Sequence, residues 1–170
     1  MTSTAITVRR ARTSDVHRIR SLVAPLAEER ILVAKEAVAY YEGLQEFRIA
    51  EAPDGEVVGC GALHVMWEDL AEVRTLAADH RWRGRGVGHV LLDSLLADAV
   101  EIGVERVFCL TFEVDFFRRH GFEVMANQSA VDPEVYSELL RSHDEGVAEF
   151  LDLARVKPNT LGNTRMIRTL

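Results

Sequence analysis

Residues 81 to 89 read Arg81-Trp82-Arg83-Gly84-Arg85-Gly86-Val87-Gly88-His89, three arginines interleaved with three glycines. Alternating glycines let a backbone approach a ligand closely. The free N–H groups of a helix's first turn, with the helix dipole behind them, form an anion site. Val87, Leu91, Leu95 and Ala99 follow at the four-residue spacing of a helix that starts where the glycines end. The chemistry predicted here is capture of a phosphate or pyrophosphate, with Arg81, Arg83 and Arg85 adding positive charge.

Three phosphate-binding patterns compete for this stretch. A Walker loop needs Lys after its last glycine, and the only lysines, Lys35 and Lys157, lie elsewhere. The dinucleotide fingerprint G-x-G-x-x-G fails because its third glycine would fall at His89 or Leu91. The pattern R-x-x-G-x-G is met by Arg83, Gly86 and Gly88.

The elements that must position this loop alternate between short strands and amphipathic helices. ITVRRA is a first strand, and Thr13, Ser14 and Asp15 offer caps for a helix through Val16, Ile19, Leu22, Val23 and Leu26 that Pro25 should kink or end. A second helix around AKEAVAYYEGLQ carries Val38, Tyr41 and Leu44 as its apolar stripe. FRIAEA and EVVGCGALHVMW read as antiparallel strands joined at Asp54-Gly55, and AEVRTLAA as a fourth strand. The loop and its helix follow, with Gly103 placed to end that helix. RVFCLT is a central strand, EVDFFRRH a short helix stopped at Gly121, and FEVMA another strand. Asp132 and Pro133 open a helix through Val135, Leu139, Leu140 and Val147 to Phe150, and NTRMIRTL is a last strand. No linker or repeat interrupts the pattern, so residues 1–170 read as one α/β domain.

Strand, R-x-x-G-x-G loop and helix, set in this order of elements, resemble the acetyl-CoA site of the GCN5-related N-acetyltransferases (GNAT). Phe116, Phe117, Gly121 and Phe122 match the aromatic pair and Gly-Phe that the family carries after its fifth strand. The resemblance implies an α/β (α+β) fold with a mixed, mostly antiparallel sheet flanked by helices and splayed between its fourth and fifth strands. It implies that Leu76, Ala77 and Ala78 line the pantetheine arm of acetyl-CoA. The loop Arg83, Gly84, Arg85, Gly86, Val87, Gly88 and His89 would take the pyrophosphate, with Phe117 beside the cofactor. Many relatives have Tyr where this chain has Phe117, and a phenyl ring cannot protonate a leaving thiolate. Thr111, at the end of the fifth strand, is the substitute candidate; a threonine bonded to its own backbone is the competing reading.

A narrower resemblance is to the N-acetylglutamate synthases, in the short form seen in actinobacteria. It rests on Ile31-Leu32-Val33-Ala34-Lys35, Glu72-Val73-Arg74-Thr75-Leu76-Ala77-Ala78, Phe116-Phe117 and Asn163-Thr164-Arg165. The longer relatives add an arginine-sensing kinase-like domain, for which 170 residues leave no room. The acceptor implied is L-glutamate, in the first step toward arginine, by direct transfer in a ternary complex without a metal. Its ammonium must lose a proton before it can attack. Glu72, four residues before Leu76 and so on the same strand face by alternation, is the candidate base; a pair with Arg74 is the competing reading, and Glu113 and His64 are alternatives. Lys35, Arg74 and Arg165 are candidates for the substrate carboxylates, with Thr75 and Thr164 adding hydrogen bonds.

Composition narrows the rest. With 20 Lys+Arg against 27 Asp+Glu the net charge is −7, which argues against broad nucleic-acid binding. The cations nevertheless form two islands, around residues 74–85 and in Arg155, Lys157, Arg165 and Arg168. Cys60 and Cys109 sit in apolar runs without metal-site spacing and read as buried small residues. No window approaches the roughly 20 apolar residues of a membrane span, and MTSTAITVRRARTSD lacks an apolar signal core, so a cytoplasmic protein is expected. The partner expected is a small molecule, with neither nucleic acid nor membrane; a homodimer is compatible with the sequence. A transferase with another amine acceptor, a non-catalytic acetyl-CoA sensor and a nucleic-acid binder using Arg81, Arg83 and Arg85 are the rival readings.

Overall fold

The computed structural model describes residues 5–125, 131–144, 146, 147, 151 and 162–170. Seven strands form one sheet: β1 (Thr7–Arg10), β2 (Phe47–Glu51), β3 (Val57–Trp67), β4 (Leu70–Ala78), β5 (Arg106–Thr111), β6 (Glu123–Val124) and β7 (Thr164–Thr169). Their order is β1-β2-β3-β4-β5-β7-β6, antiparallel throughout except for the parallel pair β4-β5. The expected mixed, mostly antiparallel sheet is therefore present. The last strand inserts between β5 and β6 rather than adding at an edge.

Helices cover both faces. On one, α3 (Val87–Ile102) and α4 (Val114–Arg119) bury Leu92, Leu95, Ala99 and Phe117, with Phe122 just after α4, against Val73, Val107, Cys109 and Met166. On the other, α1 (Val16–Glu28) and α2 (Ala37–Glu42) pack Ile19, Leu22 and Tyr40 on Ile49, Cys60 and Ala62. Beside them α5 (Pro133–Leu139) sets Leu139 against Leu70 and Phe108. Both cysteines are buried free thiols, as expected.

Three helices depart from their sequence pattern. Pro25 forfeits only its own bond to the preceding turn. Packing of the Ile19 face carries α1 to Glu28, and the chain turns at Arg30, φ +60°, where Ile31 N–H returns to Leu26 O at 2.8 Å. In α2 the buried residue is Tyr40, while Val38 and Tyr41 are exposed. The helix ends at Gly43 in a 3-10 turn, so α-helical spacing does not carry through to Leu44. The helix opened by Pro133 stops at Leu139 because nearby side chains capture the backbone. Ser142 Oγ accepts Asp144 N–H at 3.1 Å, and Asp144 Oδ1 accepts the N–H groups of Gly146 and Val147 at 2.9 and 3.2 Å. Phe150, Arg155 and Lys157 lie outside the described residues.

Candidate active site

The glycine loop leaves its backbone open to approach. Gly84 and Gly86 have φ of +75° and +83°, and beyond their chain neighbours no atom of the described residues lies within 4 Å of where a Cβ would stand. The first bond of α3 runs from Val90 N–H to Gly86 O at 3.1 Å, so the N–H groups of Val87, Gly88 and His89 precede it and point out of the helix start. Among the described residues no side chain caps this end, and no acid stands in its first turn. Gly88 faces the edge of Phe116, 3.3 Å from a built Cβ, and His89 packs against the same ring.

The three arginines divide. Arg83 and Arg85 are exposed and form no ion pair among the described residues; the Arg85 guanidinium lies over Trp82, 4.9 Å from the ring centre. Arg81, expected to add charge to the loop, is instead spent on Asp79 and Glu56. Asp79 also takes Arg18 of α1 at 2.6 Å, and these cations hold its carboxyl well below the usual range. That cluster pins the end of β4 to α1 and to the loop.

The sheet opens next to this loop. Pairing of β4 with β5 ends at Glu72↔Phe108, although β4 runs on to Ala78 and β5 to Thr111. A bulge steers β4 away: Ala62 pairs with Arg74 but Cys60 with Ala77, so Thr75 and Leu76 together oppose Gly61. Thr75 sits at φ +55°, a strained conformation for a β-branched residue. The extra residue reverses the alternation. Leu76 faces α3, whereas Glu72 faces the opposite side of the sheet, so the expectation that they share a face is corrected. Beyond Glu72, the β4 edge facing the gap has no strand partner among the described residues and can accept an extended chain as an added strand.

Glu72 lies where the gap begins, buried among charges. Its Oε2 accepts from Arg74 Nε and Nη2 at 3.1 and 2.7 Å, and Arg74 also donates from Nη1 and Nη2 to Asp144 at 2.7 Å each. Burial alone would lower the Arg74 guanidinium's pKa; the two carboxylates overrule it. Burial would likewise raise the Asp144 carboxyl, and the bonded guanidinium holds it far below its usual range. His64, opposite Glu72 on β3, bonds Glu46 at 2.7 Å and approaches Asp144 at 3.9 Å. Lys35 joins this group: burial and the neighbouring Arg74 push its ammonium pKa down, while Asp144, Glu72 and Glu46 pull it up.

Other expected residues are set apart. Thr111 is buried, and its Oγ accepts Glu113 N–H at 2.8 Å. Alternation puts Thr111 and Thr164 on the α3 face with Cys109 and Met166, and Arg165 on the opposite face with Ile167. Phe117 is buried in the core edge-on to Phe116 and Phe122; Phe116 is the aromatic that adjoins the glycine loop. The adjacent phenylalanines carried no local signal to separate them. Asp144, 70 residues from Arg74, was equally silent in the sequence.

The acetyltransferase (GNAT) family model matches residues 16–122. A Mycobacterium tuberculosis protein named amino-acid acetyltransferase is 54% identical over 96% of this chain and 94% of its own. A Shewanella oneidensis protein of the same name is 34% identical over 73% of this chain, which spans 28% of that longer protein. The crystal structure of Rv2747 from Mycobacterium tuberculosis in complex with CoA and NLQ superposes with a TM-score of 0.92, at 54% identity over 96% of this chain and 99% of that one. The Neisseria gonorrhoeae N-acetylglutamate synthase complexed with coenzyme A and N-acetyl-glutamate gives 0.79 at 24% identity, over 99% of this chain and 36% of that one, a likeness of fold.

Proposed function

The chain belongs to the acetyltransferase (GNAT) family and draws its acetyl group from acetyl-CoA, and on that premise we propose that the acceptor is the α-amine of L-glutamate. The products are N-acetyl-L-glutamate and CoA, which places the reaction at the entry to arginine synthesis. The observation that carries this reading is the opening of the sheet directly beyond Glu72, with Lys35 in the charge field of the same cluster.

The residues present fit the cofactor. The open glycines, the first-turn N–H groups and the exposed Arg83 and Arg85 suit its phosphates, and the β4 edge beyond Glu72, without a strand partner among the described residues, suits its extended arm. Acetyl-CoA, when bound, supplies an activated acyl carbon and a thiolate leaving group. Glu72 takes the proton of the acceptor ammonium on Oε1, which carries no hydrogen bond among the described residues. Thr111, whose oxygen is already an acceptor, keeps its hydroxyl hydrogen for the leaving sulfur. Lys35 holds an acceptor carboxylate, with Arg165 on the same sheet face as Glu72. Arg74, bonded to two carboxylates, orients Glu72 instead of binding substrate.

The test is thiol release from acetyl-CoA across glutamate, glutamine, aspartate, a polyamine and an aminoglycoside. Glutamate is expected to give the highest kcat/KM. A polyamine or aminoglycoside equal to it would overturn the acceptor assignment.

A further inference from the structure

Arg74 presents two hydrogen-bonding edges, and each is taken by a different carboxylate. Asp144 occupies the Nη1/Nη2 edge as a fork, Oδ2 and Oδ1 each at 2.7 Å. Glu72 is left the Nε/Nη2 edge and meets it with Oε2 alone, at 3.1 and 2.7 Å. An arginine with a single carboxylate neighbour favours a two-oxygen fork. Without Asp144, such a fork would consume Glu72 Oε1 as well.

Asp144 is itself fixed. Its Oδ1 also accepts Gly146 and Val147 N–H, and its own N–H is held by Ser142 Oγ. Gly146 lies so close over the pair that a Cβ there would collide with Glu72 Oε2 and with Arg74 Nη2. This segment, from the far side of the sequence, thus clamps the outer edge of Arg74. Among the described residues, the other titratable groups around the pair are His64 of β3, Lys35 before α2 and Glu46 after it.

We propose that Asp144 is a positioning residue: by occupying the outer edge of Arg74 it confines Glu72 to pairing through Oε2 and keeps Oε1 open for the acceptor's ammonium. The inference rests on Glu72 as the base and adds to that reading the residue that makes its geometry productive. Asp144→Asn is the discriminating variant, because it keeps the side chain's size and one acceptor oxygen while facing Arg74 Nη1 with an amide that cannot accept.

For glutamate, kcat of Asp144→Asn is expected to fall about tenfold or more, since misplacement of a reacting group by about 1 Å can cost on the order of a hundredfold. KM for acetyl-CoA should stay at the wild-type value. In a Glu72→Gln background the same change should cost nothing further. Wild-type kcat in Asp144→Asn, or additive losses in the double variant, would overturn the proposal. Glu72→Gln at wild-type turnover would instead remove the base, and the proposal with it. Gly146→Ala is the second probe should Asp144→Asn not fold. Its Cβ displaces the same two side-chain ends, so it should lower kcat at unchanged acetyl-CoA KM, and wild-type kcat there also counts against the clamp.

Discussion

Gly59 of β3 lies beneath Val87, the first residue of α3, so closely that a Cβ built on it would stand 2.5 Å from Val87 Cγ1 and 3.0 Å from Leu91 Cδ1. Ala77 O, at 3.1 Å, closes the third side. The helix whose first-turn N–H groups are uncapped is seated on the sheet by that absence of a side chain. Gly59→Ala should therefore cost about 1–3 kcal/mol of stability by overpacking and lift the start of α3. Thermal unfolding reads the first effect, and calorimetric titration with CoA, weakened in step, reads the second.

Arg83 and Arg85 form no ion pair among the described residues, whereas Arg81 is committed to Asp79 and Glu56. Arg83→Ala and Arg85→Ala should each raise the Kd for CoA severalfold and flatten its salt dependence without changing Tm. Arg81→Ala should lower Tm and leave the salt dependence of CoA binding as it was.

Lys35 offers a pH signature. Burial, with Arg74 nearby, lowers its pKa from the ordinary 10.5, so it loses its charge earlier than a solvated lysine as pH rises. If it holds a substrate carboxylate, KM for glutamate should climb on the alkaline side before pH 10.5, with KM for acetyl-CoA level. Lys35→Arg should flatten that limb, and Lys35→Met should raise KM at every pH. For stability the sign is that of a penalised charge: the cost is present below the folded-state pKa and is relieved as pH rises toward 10.5.

Asp79 titrates in the other direction. Bonded to Arg81 and Arg18, it is held below the ordinary aspartate value of 3.8, so its stabilisation is complete above that value and is lost as pH falls from there through the lower folded-state pKa. Asp79→Asn should cost about 1–3 kcal/mol at pH 7, the range for a charged hydrogen-bond partner lost. Denaturant titrations at pH 7 and pH 3 should show that gap shrinking in acid.

The glycine loop was legible in the sequence because its parts are contiguous. Gly84 and Gly86 need only local backbone freedom, and the spacing from Val87 to Ala99 announces the helix that supplies the N–H groups. The order of strands and helices was legible for the same reason, since periods of 2 and 3.6 are properties of neighbouring residues. Where a helix ended was less so, because at Pro25 packing outweighed propensity and at Ser142 and Asp144 side chains competed for backbone groups.

The sequence by itself determined the fold class, the glycine loop with the helix behind it, and that Glu72, Arg74, His64 and Lys35 are ionisable. Tertiary structure alone decided how that cluster is wired. Alternation predicts one face for Glu72 and Leu76, but a bulge at Thr75 spends one residue and reverses it. Adjacency predicts a pair between Glu72 and Arg74, but whether the pair is private depends on Asp144, which arrives from beyond α5. Sequence patterns report what each residue can do locally. Which carboxylate takes which edge of a guanidinium is fixed only when distant segments must share one buried volume and satisfy every charge within it.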